Sequence, residues 1–170
     1  RNLREYEHIN LFSPIIKLQN GTIFSPFKKV FKRGVTLRNV AAQQYNLNKL
    51  CPVNSGMMIR VSAFNSVGGY NEKVKLDFSD VEFIRRFSRN YDYFKVVDTV
   101  CVQDFSNEMT DINALDRRYA FFCEGVKNCY RKNVFEDFQY LLIVLIRMMM
   151  LIKKTRRTRS IGTFYRNYLR

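Results

Sequence analysis

The segment between residues 68 and 86 constrains the fold of this chain most, because paired glycines are followed there by the start of a helix. Ser79 and Glu82 have the spacing of a capping box, in which two side chains satisfy the backbone donors of a first helical turn. Apolar residues follow at three- and four-residue steps, as they do along the buried face of a helix. The sequence therefore predicts a glycine turn and, after it, an amphipathic helix over residues 80–90.

Three carboxylates, those of Asp77, Asp80 and Glu82, lie within this segment. Asp80 falls in the first turn of the predicted helix, where unpaired backbone N–H groups and the helix dipole favour an ionised carboxylate. An anion held beside a flexible glycine turn is suited to act as a general base. Acids are also common in the first turns of helices that have no catalytic function. The segment by itself leaves both interpretations open.

The rest of the chain predicts an α/β fold. Residues 9–18 and 22–24 are expected to form strands joined at Asn20-Gly21, because this pair adopts the positive φ angles of a tight hairpin turn. Residues 28–38 are basic and interrupted by glycine, which favours a solvated loop over contact with an anionic substrate. The other predicted elements are a strand over 52–61, a helix over 62–67, strands over 94–97 and 99–102, a helix from 111 onward and a second over 135–153.

The net charge of +14 is unevenly placed, since no acidic residue follows Asp137. An apolar run over residues 140–152 is interrupted by Arg147, and it is too short and too broken to predict a membrane span. Basic residues follow at once over 153–157, which is typical of an interfacial helix with a polybasic flank. The segment 140–170 is therefore expected to contact an anionic membrane surface. The alternative is a core helix with a solvated basic end.

Nucleic acid is a disfavoured partner, because the phenylalanines fall mostly at core spacing instead of alternating with basic residues on one surface. The four cysteines lack the paired spacing of metal ligands and predict buried, reduced thiols. Reduced thiols are typical of a cytoplasmic protein. We therefore expect a cytoplasmic location, at the inner face of the membrane if the segment 140–170 binds lipid.

The central segment also resembles a known motif. Gly-Gly-Tyr-Asn-Glu at 68–72, followed by Leu-Asp-Phe-Ser-Asp-Val-Glu-Phe at 76–83 and then arginine, is similar to the acceptor-side motif of family 2 inverting glycosyltransferases. The rhamnosyltransferase-like enzymes of bacterial surface-polysaccharide assembly are the members that it resembles most. Further similar segments occur in the same order, at 11–16, 20–21, 53–59, 102–106 and 117–119.

The resemblance implies the C-terminal, acceptor-side half of a GT-A-type nucleotide-sugar transferase fold followed by a helical tail. It implies two parts, an acceptor-side α/β part over residues 1–107 and a helical appendage over 108–170. Such enzymes transfer a sugar from a nucleoside-diphosphate sugar to a glycan or lipid-linked acceptor with inversion. The part of the family that binds the nucleotide and carries an Asp-x-Asp metal motif has no counterpart here, so we expect the isolated chain to be inactive.

The resemblance also implies roles for individual residues. The acid in the position of Asp80 is the base that deprotonates the acceptor hydroxyl. The residues at 54–56 line the sugar or acceptor site, and they are Asn54, Ser55 and Gly56. Asp77 is expected to hold an acceptor hydroxyl, and Arg85 and Arg86 to contact diphosphate or a lipid phosphate, although one arginine could instead pair with the nearby acids.

A divalent metal, Mg²⁺ or Mn²⁺, is implied, with its main ligands outside this chain. Many relatives have a histidine that contributes to the metal site where this chain has Gln103, which is a weaker ligand. The adjacent Asp104 offers oxygen ligands of the kind that these metals prefer. His8 is the only histidine, so a two-histidine site within one copy is excluded.

Self-association follows from the implied loss of a neighbouring half. Strands that would pair with the missing half are expected to expose their edges together with apolar surface. The function class that competes with a glycosyltransferase is a non-catalytic basic module that binds membrane or nucleic acid.

Overall fold

A computed structural model of the chain describes residues 6–30, 32–104, 111–131 and 133–170. Within them the protein is mixed α/β. The strands are β1 (Leu11–Leu18), β2 (Ile23–Ser25), β3 (Phe27–Val30), β4 (Arg33–Val35), β5 (Gln44–Asn46), β6 (Leu50–Cys51), β7 (Met58–Ile59) and β8 (Tyr93–Gln103). The helices are α1 (Val61–Ser66), α2 (Ser79–Phe87), α3 (Ile112–Asn128), α4 (Val134–Thr155) and α5 (Arg159–Phe164). A 3-10 turn at Leu76–Phe78 precedes α2, and a π-helical turn at Tyr165–Leu169 follows α5.

The chain divides into two compact units that are not each continuous in sequence. The first contains the described residues up to Tyr70 and those from Phe83 to Asp104. The second contains Asn71–Glu82 and the described residues from Asp111 to Arg170. The predicted boundary between residues 107 and 108 lies outside the described residues.

The first unit is built on a mixed sheet with strand order β2-β1-β8-β5. The central strand β1 runs parallel to β8 and antiparallel to both β2 and β7. Its buried residues include Leu11, Ile15 and Ile16, and those of the neighbouring β8 include Phe94 and Val96. A smaller antiparallel sheet of order β4-β3-β6 completes the unit.

The hairpin predicted at Asn20-Gly21 is confirmed. The N–H of Gly21 donates to the carbonyl of Leu18 over 2.9 Å, and Gly21 has a φ of +80°. Asn20 stays outside the positive-φ region and instead accepts a hydrogen bond from the N–H of Thr22 through Oδ1. The turn is therefore a three-residue hairpin loop in which only the glycine has the left-handed conformation.

Three predictions for the first unit were wrong in detail. The basic stretch 28–38 is not a loop, because β3 and β4 form a hairpin within it and β3 also pairs with β6. The strand expected over 52–61 is reduced to β7, since a turn precedes it. The two strands expected over 94–97 and 99–102 are the single strand β8, whose pairing with β1 shifts in register between Val96 and Val100.

The second unit is helical, and both predicted long helices are confirmed. Asp111 caps α3 by accepting hydrogen bonds from the N–H groups of Asn113 and Ala114. Asn133 caps α4 in the same way by accepting from the N–H of Glu136. Among the described residues, no helix is both long enough and apolar enough to cross a membrane.

The core of the second unit lies where α3 and α4 pack against the segment before α2. Its buried residues are Val74, Phe78, Tyr119, Phe122, Cys123, Val126, Cys129, Tyr140, Ile143 and Val144. Tyr119 donates its hydroxyl hydrogen to the carbonyl of Val144 over 3.1 Å, which joins the two helices. Tyr130 follows Val126 at a four-residue step, which predicts that it continues the buried face of α3, but it lies beyond the end of the helix and is exposed. Of the four cysteines, Cys101 is exposed, contrary to the expectation that all four are buried.

Candidate functional site

The start of α2 differs from the predicted capping box. Ser79 has helical backbone angles, φ −56° and ψ −43°, whereas an N-cap residue has an extended backbone. Its hydroxyl donates to the carbonyl of Leu76 over 2.8 Å. The extended residue is Lys75, which precedes the 3-10 turn. The capping box was therefore wrong, because the chain already turns helically before Ser79.

Asp80 lies in the first turn of α2, as predicted, and its side chain is half-buried. Glu82 also lies in this turn but is only 4% exposed, which makes it the least accessible of the three acids. First-turn carboxylates interact favourably with the positive end of the helix dipole. The position of Asp80 is thus one in which an ionised carboxylate is both favoured and accessible.

Asp77 accepts hydrogen bonds from two arginines. Its Oδ1 accepts from Arg118 over 2.9 Å and its Oδ2 from Arg147 over 2.6 Å. Burial raises the pKa of Asp77, but the charge of Arg147, the hydrogen bonds of both arginines and the charge of Arg118 together hold that pKa below its ordinary value of 3.8. The guanidinium of Arg147 also lies over the ring of Phe122, 4.0 Å from its centroid. We call Asp77, Arg118 and Arg147 the Asp77 clamp.

The Asp77 clamp fastens the 3-10 turn that precedes Asp80 to α3 and α4. Leu76, within this turn, has a φ of +54°, a strained conformation for a residue other than glycine. The predicted contact between Asp77 and an acceptor hydroxyl stays a prediction, and it would have to use the remaining lone pairs of a carboxylate that already accepts two hydrogen bonds. Arg118 and Arg147 were not among the predicted site residues, although the position of Arg147 inside an apolar run was a signal for it.

The paired glycines end helix α1 and lie in a hydrogen-bonded turn, where the sequence had suggested a flexible glycine turn. The N–H of Gly69 donates to the carbonyl of Phe64, and that of Gly68 to the carbonyl of Asn65, which is the Schellman pattern that ends a helix. Gly68 has the required positive φ of +75°. A Cβ at Gly69 would lie 3.0 Å from the ring of Phe64.

Arg86 holds this glycine turn in place. Its guanidinium donates to the carbonyl of Val67, and also to that of Gly69 over 2.6 Å. A contact with diphosphate would therefore compete with these bonds. Arg85, next to it in the last turn of α2, is half-buried. Contacts of Arg85 and Arg86 with phosphate stay predictions.

Residues 54–56 form a tight turn ahead of β7. The N–H of Met57 donates to the carbonyl of Asn54 over 3.1 Å, and Gly56 has a φ of +68°. A Cβ at Gly56 would lie 2.9 Å from Cγ of Pro14, so both backbone conformation and space require glycine there. Asn54 is exposed and Ser55 is half-buried, which leaves both side chains accessible for the predicted contact with a sugar.

Gln103 ends β8 and has an unsatisfied polar atom. Its Oε1 is buried and has no hydrogen-bond partner among the described residues. Asp104 follows it and is exposed, and both oxygen ligands suit Mg²⁺ or Mn²⁺. Within the described ranges, no three His, Cys, Asp or Glu residues form a metal-binding group. The last two residues of the predicted motif, Phe105 and Ser106, lie outside the described part of the chain.

The candidate residues are divided between the two units. The second unit contains Asp77, Asp80 and Glu82. The first contains the remaining candidates, which are Asn54, Ser55, Gly56, Arg85, Arg86, Gln103 and Asp104.

Comparison of the chain with models of protein families, with curated proteins and with solved structures gave no match.

Proposed function

We propose that this chain is the acceptor-side, C-terminal half of a family 2 inverting glycosyltransferase of the GT-A fold, with Asp80 as its general base. The substrates are a nucleoside-diphosphate sugar and a glycan or lipid-linked acceptor. Two observations support the assignment to this family. The motif over residues 68–86 is similar to the acceptor-side motif of that family, and the mixed α/β architecture is compatible with its fold.

The observation that carries the proposal is the position of Asp80. It lies in the first turn of α2, directly after a turn that the Asp77 clamp ties to α3 and α4. The helix dipole favours the ionised carboxylate, and the clamped turn restricts the positions that this carboxylate can occupy. A general base needs both properties, because it must be deprotonated and within reach of the proton that it removes.

In the proposed reaction, Asp80 removes the proton of the acceptor hydroxyl as that oxygen attacks the anomeric carbon. The bond from this carbon to the diphosphate oxygen breaks, and the nucleoside diphosphate leaves with the bonding electrons. Mg²⁺ or Mn²⁺, when bound, neutralises charge on the diphosphate. Gln103 and Asp104 would contribute oxygen ligands, and the main ligands would come from outside this chain. Asn54, Ser55 and Gly56 would line the sugar or acceptor site.

The test compares wild type with Asp80→Asn in a protein that contains both halves, using a panel of nucleotide sugars with Mg²⁺ or Mn²⁺. We expect turnover to fall by about 10²- to 10⁴-fold, the usual contribution of a general base, while nucleotide-sugar binding is retained. Asp98→Asn is the matched control, because Asp98 is an exposed acid in β8. Turnover of Asp80→Asn within a few-fold of wild type would place the base elsewhere.

A second candidate function is a non-catalytic basic module that binds a membrane surface. The net charge of +14 and the exposed apolar residues of α4 favour it. The same panel separates the two candidates, because such a module would bind none of the nucleotide sugars.

A further inference from the structure

Helix α4 has two opposite apolar faces, and only one of them is buried. Tyr140, Ile143 and Val144 belong to the core of the second unit. Residues on the other side are exposed at three-, four- and seven-residue steps, with exposed fractions of 62% for Phe135, 60% for Phe138, 43% for Leu142 and 58% for Met149. We call these four residues the outer face of α4. At 1.5 Å per residue, they extend over about 21 Å of helix.

Arg147 does not interrupt this face. In the sequence it is the one charge within the apolar run, which counts against contact of that run with lipid. In the structure its guanidinium binds Asp77 and lies over Phe122, both of which belong to the second unit. Its side chain is only 29% exposed. The charge that breaks the apolar run is therefore directed to the core side of the helix.

The outer face continues directly into basic residues. Lys153 lies four residues after Met149, on the same side of the helix, and Arg156 and Arg157 follow at its end. All three are exposed, and no acidic residue follows Asp137 in the sequence. An apolar protein partner would cover the outer face but leave this positive charge without a counterpart. An anionic bilayer interface matches both features.

We propose that the outer face of α4, together with the exposed basic residues that follow it, docks on an anionic lipid surface. The helix lies in the plane of the interface, with Phe135, Phe138, Leu142 and Met149 among the acyl chains. Lys153, Arg156 and Arg157 contact the headgroups. This inference does not depend on the proposed glycosyl transfer, because every residue that carries it lies in α4 or just beyond it.

The test measures sedimentation of the full chain with vesicles of phosphatidylcholine alone and of phosphatidylcholine mixed with phosphatidylglycerol. We expect binding only to the mixed vesicles and a decrease with added salt. Lys153→Gln with Arg156→Gln is expected to weaken binding about fivefold per residue removed. Phe138→Gln with Leu142→Gln leaves the net charge unchanged and is expected to weaken binding by about tenfold or more.

The matched control is Val61→Gln with Val35→Gln, since both valines are exposed apolar residues of the first unit. We expect it to bind as wild type does. Circular dichroism of each variant establishes that the helices remain folded. Equal binding by the Phe138→Gln, Leu142→Gln variant would overturn the proposal, as would equal binding of wild type to both kinds of vesicle. A wild-type oligomer that this variant dissociates, with no vesicle binding, would instead assign the outer face to a second copy.

Discussion

The Asp77 clamp is expected to contribute measurably to the free energy of unfolding. The perturbation is Asp77→Asn, which removes the negative charge and leaves Arg118 and Arg147 facing a neutral amide. Exposed ion pairs contribute about 0–1 kcal/mol, and loss of one partner of a fully buried pair costs about 3–5 kcal/mol. The clamp lies between these limits, since the side chain of Asp77 is 22% exposed and that of Arg147 29%. We therefore expect the free energy of unfolding to fall by about 2 kcal/mol, or about 4–8 °C in melting temperature for a chain of this size.

The assay is urea unfolding followed by far-ultraviolet circular dichroism, to which α3 and α4 contribute most of the helical signal. Arg147→Met retains an apolar stem beside Phe122 and removes one ion pair, so it should cost about 1–2 kcal/mol. The double variant should cost less than the sum of the single ones, because both changes remove the same contact. Asp98→Asn, in an exposed part of β8, is the matched control and should change little.

Because Asp77 is titratable, the free energy of unfolding is also expected to depend on pH. Because the pKa of Asp77 in the folded protein is below 3.8, its ion pairs contribute fully above that ordinary value. The contribution is lost as pH falls from 3.8 through the lower pKa of the folded state. Wild type should therefore lose more stability than Asp77→Asn over this range. A change in the free energy of unfolding of less than about 0.5 kcal/mol for Asp77→Asn at neutral pH, or parallel pH profiles, would show that the Asp77 clamp does not stabilise the fold.

Two further predictions concern the backbone at Leu76 and the open edge of β8. Leu76 has a φ of +54° and is 56% exposed, so a glycine at this position relieves backbone strain at little cost in packing. Leu76→Gly should therefore be about 1 kcal/mol more stable than Leu76→Ala. The reverse order would show that the backbone at this position is not strained. Among the described strands, β5 pairs with β8 only over Tyr93–Lys95, and the exposed Val100 and Val102 lie beyond this pairing. Val100→Lys with Val102→Lys should therefore lower the self-association that we expect of the chain. Light scattering across micromolar concentrations measures this change. A monomeric wild type would exclude the association.

Local elements were predictable because a few neighbouring residues determine them. The hairpin at Asn20-Gly21 needs a residue that accepts positive φ, and Gly21 supplies it. Helix α3 was predictable from its apolar periodicity and α4 from its long apolar run, and their N-caps Asp111 and Asn133 satisfy the first backbone donors. The basic hairpin of β3 and β4 was not predictable in this way, because β3 also depends on pairing with β6, about twenty residues further on.

The helices, the first hairpin, the uneven charge and the position of Asp80 in the first turn of a helix thus follow from the order of the residues alone. The fold determines which charges form ion pairs, because Asp77 and Arg147 are 70 residues apart in the chain. It also decided which face of α4 is buried, since that helix is apolar on nearly every side and its periodicity does not choose between them. Packing against α3 makes that choice, and it directs Arg147 to the core side while Phe138 and Leu142 remain exposed.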